Sequence, residues 1–468
     1  MFKAIFTNSF GILFSRILGF IRDLFTASVL GANIYSDIFF IAFKLPNLFR
    51  RIFAEGAFTQ VFIPSFASSK QKSIFSAYIF LVFLSIIILL TLLVNLLPNL
   101  ATRAIAIGFD TNTIELAAPL VAINFWYLPL IFGVTFLSAL LQYKNHFATT
   151  AFSTALLNIS LILSLYLSQN KEHIEIVYYL SYGVVIGGVL QLVAHLITLH
   201  NIGLSNILLG GFKHLKVKSS KIKQESKKFK KQFFPAIWGN STAQVSAFLD
   251  TWLASFLVTG SISYLYYANR IFQLPLALFA IATSIALFPR IARYIKNKDE
   301  EKAKIFMSNA FWFLSFVLTF SMLGGFILSR EIIWLLFEHG AFTSTDAMQS
   351  SQVLQMYMIG LVPFGLQKLF SLWLYAKELQ MRAAKIATFA LTTNIVLSLT
   401  LISPLGASGL ALASTASGFV GFFLTLRVFG WQNFLDIISS KKVLYLLASA
   451  TIFTFTLFIF KDFISAYI

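Results

Sequence analysis

The sequence predicts an all-α, polytopic membrane protein, and three observations carry that prediction. Apolar residues make up 58% of the 468-residue chain and charged residues only 12%. A soluble chain of this length needs about 25% charge to cover its surface, so lipid must be the solvent for most of it. Charge-free runs at 73–97, 251–269, 305–329 and 443–460 each hold 18 to 25 residues. That is enough to cross about 30 Å of hydrocarbon as helix. The basic residues, finally, fall almost entirely in alternate loops. With 36 Lys+Arg against 18 Asp+Glu the formal charge is +18. In so apolar a chain the excess reads as cytoplasmic loops, and nucleic acid is not an expected partner. The absence of cysteine excludes disulfides, thiolate metal sites and cysteine nucleophiles.

Thirteen spans are expected, near 5–30, 34–64, 73–97, 118–141, 147–168, 176–199, 233–257, 264–289, 305–328, 350–374, 384–402, 407–428 and 443–460. The first is expected to be retained, because Arg16 interrupts its apolar stretch and no small-residue cleavage site follows. A cytoplasmic amino terminus makes the inside loops 67–73, 142–146, 199–235, 290–304, 376–385 and 427–442, which carry 24 Lys+Arg. The outside segments carry four: Arg103, Lys171, Arg330 and Lys461. That bias sets the orientation and puts the carboxyl terminus outside. Nine lysines between Lys213 and Lys231 face one acid, Glu225, with Phe212, Leu215, Val217, Ile222 and Phe229 interleaved. This segment is either an amphipathic stretch lying on anionic lipids of the inner leaflet or a solvated tether.

The tether divides two related halves. Gly31 precedes Pro46 by fifteen residues, as Gly260 precedes Pro275, and Pro64 and Pro289 follow. TALLNISLILSL (154–165) resembles FALTTNIVLSL (389–399), with Asn158 opposite Asn394. Six helices per half is an even number, so both copies enter the membrane in the same direction, as in transporters built on parallel repeats. The expected architecture is an amino-terminal lobe (1–211), a basic cytoplasmic linker (212–232), a second lobe (233–430) and a carboxyl-terminal helix (431–468). The two six-helix lobes would surround a central cationic cavity.

Ionisable residues within the spans carry the functional information. Arg16, Arg22 and Asp23 lie in the first span, and Asp37, Lys44, Arg50, Arg51 and Glu55 in the second. Asp250, Arg270 and Lys368 lie in the second half. Each Lys, Arg or Asp at mid-span costs roughly 2.5–3.5 kcal/mol, so these groups must pair or line a hydrated cavity. Arg16 and Asp23 are seven apart, as are Asp37, Lys44 and Arg51, which aligns each set on one helix face and favours Arg51 over Arg50. Seven bases against four acids leave an excess that internal salt bridges do not absorb. Guanidinium groups in a membrane cavity suit an anionic ligand, and a diphosphate best.

The stretch FSRILGFIRDLFTASVLGANIYSDIFFIAFKLPNLFRRIFAEGAFTQVFIP (14–64) closely resembles the opening of the MurJ (MviN) family. Similarity continues in SISYLYYANRIFQLP (261–275) and around Lys368, and covers roughly residues 1–430. The resemblance implies a lipid II flippase of the multidrug/oligosaccharidyl-lipid/polysaccharide exporter superfamily in the bacterial inner membrane. Such a carrier moves undecaprenyl-diphosphate bearing the peptidoglycan unit to the outer leaflet by alternating access. It implies that Arg16, Arg22, Arg50 and Arg270 grip the diphosphate, and that Ser15, Asp37, Lys44, Glu55 and Lys368 support them. Asn269 and Gln273 stand where relatives often carry acids beside the arginine. Lipid II, anionic lipids and cell-wall synthases are the partners it suggests. No nucleotide loop is present, so membrane potential or sodium remains as the drive, with Asp250, Asn394 and Thr415 as candidate sodium ligands. A drug/cation antiporter should carry acids in place of surplus arginine, and an O-antigen flippase is separated only by the KLPNLFRRIFAEGAF block. An enzyme acting on polyprenyl-linked sugars would need clustered carboxylates or histidines, and the six histidines are scattered.

Overall fold

The structure, a computed structural model, describes residues 2–50, 58–214 and 220–465. Arg51 and Glu55 lie outside the described residues, as do Leu215 and Val217. The described residues form helices joined by short turns, with no strand among them. In order these are α1 (Phe2–Leu30), α2 (Ile34–Phe49), α3 (Phe58–Ser68), α4 (Lys72–Leu96), α5 (Pro98–Ile105), α6 (Thr111–Phe125) and α7 (Tyr127–Tyr143). Next come α8 (Ala148–Ser168), α9 (His173–Asn201), α10 (Ser205–Lys213), α11 (Ser220–Ala254), α12 (Ser261–Pro275), α13 (Ala282–Lys296) and α14 (Glu300–Ile327). The last six are α15 (Ser329–Phe337), α16 (Ser344–Ile359), α17 (Leu361–Ala376), α18 (Gln380–Phe429), α19 (Trp431–Ile438) and α20 (Lys442–Ser465).

By length and composition, nine helical segments among the described residues could cross a membrane: α4, α6–α7, α8, α9, α12–α13, α14, α16–α17, α18 and α20. The expected spans outside this set, near 5–30, 34–64 and 233–257, hold Arg16, Arg22, Asp23, Asp37, Lys44, Arg50 and Asp250. α18 covers two expected spans. Asn394 and Ser414 both donate to the carboxylate of Asp250, each at 2.9 Å. In a straight helix their positions would be about 30 Å apart. The chain therefore reverses between them, at Gly406 (φ 55°, ψ −133°), two residues after Pro404. Its arms correspond to the helices expected at 384–402 and 407–428.

The chain forms two compact units, Met1–Phe248 and Leu249–Ile468, and the division falls inside α11. In the first unit α1 lies along α8, α8 along α9, and α2 against α6. In the second, α12 packs on α16, α17 lies between α14 and α18, and α20 rests on α14. Gly31 after α1 and Gly260 before α12 both take positive φ, 72° and 92°. Each is followed fifteen residues later by a helical proline, Pro46 in α2 and Pro275 in α12. A proline lacks the N–H that continues the helical ladder, and beyond Pro275 residues Leu276–Ile281 widen into a π-helical turn.

The basic segment is helical from Ser220 and runs without a break into the region expected to open the second lobe. Ile222, Ser226, Phe229 and Phe233 are buried at a spacing of three and four, which makes one helix face. Phe229 meets Phe58, Phe75 and Phe83 of the same unit at ring distances of 6.1–6.2 Å. Ile222 and Phe229 thus face protein, not the leaflet, because a phenylalanine cluster offers them closer packing. Lys223, Lys227, Lys228, Lys230 and Lys231 remain exposed on the other face.

Candidate functional site

Each unit builds a cluster of charged and polar side chains on its helices. In the first unit it starts from the stripe Gly11, Ser15, Gly19 and Arg22, whose spacing of three and four turns it towards α8. The Ser15 hydroxyl donates to the Ala151 carbonyl at 3.0 Å, and the Asn158 amide Nδ2 donates to the Ser15 carbonyl at 2.9 Å. Gly19 makes room for that amide, since a Cβ there would lie 3.3 Å from Asn158 Nδ2. Arg22 then donates from one terminal nitrogen to Asn158 Oδ1 at 3.1 Å. Its Nε and other terminal nitrogen donate to Asp23 Oδ1 at 3.1 and 2.6 Å. Asp23 is 2% exposed, so an unpaired carboxylate there would be costly and the adjacent guanidinium neutralises it.

Arg16 differs. It sits in mid-helix, is exposed, and has no hydrogen-bond or ionic partner among the described residues. Seven-residue spacing places Arg16 and Asp23 at nearly the same azimuth, yet one is exposed and the other buried. The neighbours at each depth, more than the azimuth, decide the environment. Further along, the side chain of Asn33 caps α2 by accepting from the backbone of Tyr35 and Ser36, and Asp37 is buried in the first turn. Lys44 is half-buried on the same helix, and Arg50 donates from Nε to Asn47 Oδ1 at 3.0 Å.

In the second unit Arg270 lies over the ring of Tyr266, with Cζ 4.7 Å from the ring centroid. One of its terminal nitrogens donates to the Tyr266 hydroxyl at 2.6 Å. This cation–π contact steadies the guanidinium. Gln273 donates from Nε2 to Asn269 Oδ1. Lys368 on α17 is exposed and, among the described residues, lacks an ionic or hydrogen-bonding partner.

Of the three candidate sodium ligands, two come together. Asn394 turns its Nδ2 to Asp250 Oδ1, and its own Oδ1 accepts from Ser398 at 3.4 Å. Thr415 gives its hydroxyl to the Met356 carbonyl at 2.6 Å. Ser414, one residue earlier, is the hydroxyl that meets Asp250. No group of three or more His, Cys, Asp or Glu side chains gathers among the described residues. Ser414, Asn158 and Tyr266 are the residues that sequence reasoning missed as site members. Asn158 carried a signal, as the repeat partner of Asn394.

A family model described as lipid II flippase MurJ matches residues 26–465. A Helicobacter pylori protein named probable lipid II flippase MurJ is 51% identical over 448 residues, covering 94% of this chain and 97% of that one. A Buchnera aphidicola protein of the same name is 32% identical, over 98% of this chain and 90% of its own. The solved structure titled lipid II flippase MurJ, inward closed conformation, superposes with a TM-score of 0.79 at 26% identity, over 98% of both chains. An inward-facing multidrug-resistance MATE transporter of the MOP superfamily matches in fold, with a TM-score of 0.67 at 13% identity over 94% of this chain and 99% of its own.

Proposed function

Because this chain belongs to the MurJ family, we propose that it flips lipid II from the inner to the outer leaflet of the bacterial inner membrane. It is a transporter in this reading, with its amino terminus in the cytoplasm and its carboxyl terminus outside, as the loop charges favour. The observation that carries the proposal is the pair of guanidinium groups in one charged helix. Arg22 is held by Asp23 and Asn158, and Arg16 stands exposed, without a partner among the described residues, nearly two turns earlier. A membrane helix keeps such groups where they pair, as Arg22 does with Asp23, or where they line a polar pathway, the reading taken for Arg16.

Arg16, Arg22, Arg50 and Arg270 grip the diphosphate, and Ser15, Asp37, Lys44 and Lys368 support them. Guanidinium suits this role because its fork of donors matches phosphate oxygens and stays charged at any relevant pH. The carrier opens to the two leaflets in turn, and binding of the diphosphate offsets repulsion among its cations. Membrane potential is available as a drive at about 2.3 kcal/mol per charge per 100 mV. For sodium coupling, Asp250 and Ser414 offer oxygens, and Asn394 would add one once its amide turns over. The exposed lysines of α11 meet anionic lipids of the inner leaflet, and cell-wall synthases are expected partners.

The test uses cells in which this chain is the sole flippase. Depletion should trap lipid II on the cytoplasmic leaflet, out of reach of an externally added enzyme that attacks its headgroup. Arg270→Ala should insert normally yet fail to restore access. Undiminished outer-leaflet lipid II after depletion would refute the function.

A further inference from the structure

We propose that Asn158 is the positioning residue for Arg22, setting the direction in which this guanidinium meets the anionic headgroup. This rests on the function proposed above and extends it to a residue outside the charged set. The chemistry of the two partners fixes the amide. The Ser15 carbonyl can only accept, so it takes Nδ2; the guanidinium can only donate, so it meets Oδ1. Ser15 is itself tied to α8 through the Ala151 carbonyl. The amide is 3% exposed, and the absent Cβ of Gly19 leaves it room against α1.

Asp23 and Asn158 divide the work. Asp23 engages Nε and one terminal nitrogen through a single oxygen and supplies countercharge. Asn158 engages the other terminal nitrogen from a different helix and so braces the guanidinium from a second direction. It does so without adding a second negative charge, which would cancel the attraction for a phosphate.

The test measures binding of undecaprenyl diphosphate to the purified full chain in detergent, with the melting temperature recorded alongside. Asn158→Leu should weaken binding about tenfold, the cost of freeing one charged hydrogen-bonding group. In an Arg22→Ala background the same substitution should change binding less than twofold, because its effect runs through the guanidinium. Asn158→Asp offers a second, isosteric variant. It should bind weakly at neutral pH, and its deficit relative to wild type should shrink as the pH falls, because a protonated carboxyl can donate to Ser15 and accept from Arg22 as the amide does. Equal losses from Asn158→Leu with and without Arg22, or a deficit of Asn158→Asp that is flat with pH, would overturn the proposal and leave the function standing. Failure of the wild-type chain to bind the diphosphate lipid would overturn both.

Discussion

The two clusters hold charge inside a membrane protein in opposite ways. In the first unit Arg22 meets its acid in the next residue, and Asn158 adds a contact from 136 positions away. In the second unit Asp250 accepts from two neutral donors, Asn394 and Ser414, which lie 144 and 164 positions away. The first cluster is neutral as a matter of local sequence. The second depends on α18 folding back at Gly406, so the state of Asp250 reports whether that hairpin is closed. Asn158 and Asn394, which the sequence comparison of the two halves sets opposite each other, thus serve a cation in one unit and an anion in the other. They do so by presenting opposite ends of the same amide.

The largest effect that can break this contrast is on stability in the first unit. Arg22→Ala removes the guanidinium paired with the buried Asp23 and should cost about 3–5 kcal/mol. Unfolding of the purified chain measures this, and adding Asp23→Asn should recover part of the loss. Stability equal to wild type would mean the pair is not the brace described. Next in size, Asp250→Ala removes the carboxylate to which Asn394 and Ser414 donate and should cost about 1.5–3 kcal/mol. Hydrogen exchange should then rise in both arms of α18 and stay unchanged in α1; exchange rising equally in both units would remove the distinction between local and long-range bracing. The smallest change in stability is expected at Arg16→Ala and Lys368→Ala. Neither side chain has a partner among the described residues, so each should stay within about 0.5 kcal/mol of wild type. Translocation of lipid II should nonetheless fall in both, and unchanged transport would free these two cations from the site.

Much of this was legible in sequence. Membrane class and the most apolar helices follow from charge-free runs, and the charged helices from mid-span Arg and Asp, because the cost of charge in lipid is large enough to dominate local detail. Partner choice was not legible. Thr415 and Ser414 differ by 100° around a helix, and only the packing of α16 decides that Thr415 turns to Met356 while Ser414 meets Asp250. The stacking of Arg270 on Tyr266 is a four-residue spacing that could have been read, had an aromatic been weighed beside the missing acids. The reversal at Gly406 carried its own signal in Pro404 and the glycine two residues on.

The long reach of Asp250 bears on how the protein is made. At a ribosome speed of about 5–20 residues per second, the 144 residues that separate Asp250 from Asn394 take roughly 7–30 s to synthesise. Throughout that interval the nascent chain presents a carboxylate to the translocon before either of its eventual donors exists. Arg22 and Asp23 emerge together and face no such delay. The second half of the chain is therefore where insertion is most exposed to premature release, and where slowing translation should most reduce the yield of correctly assembled carrier.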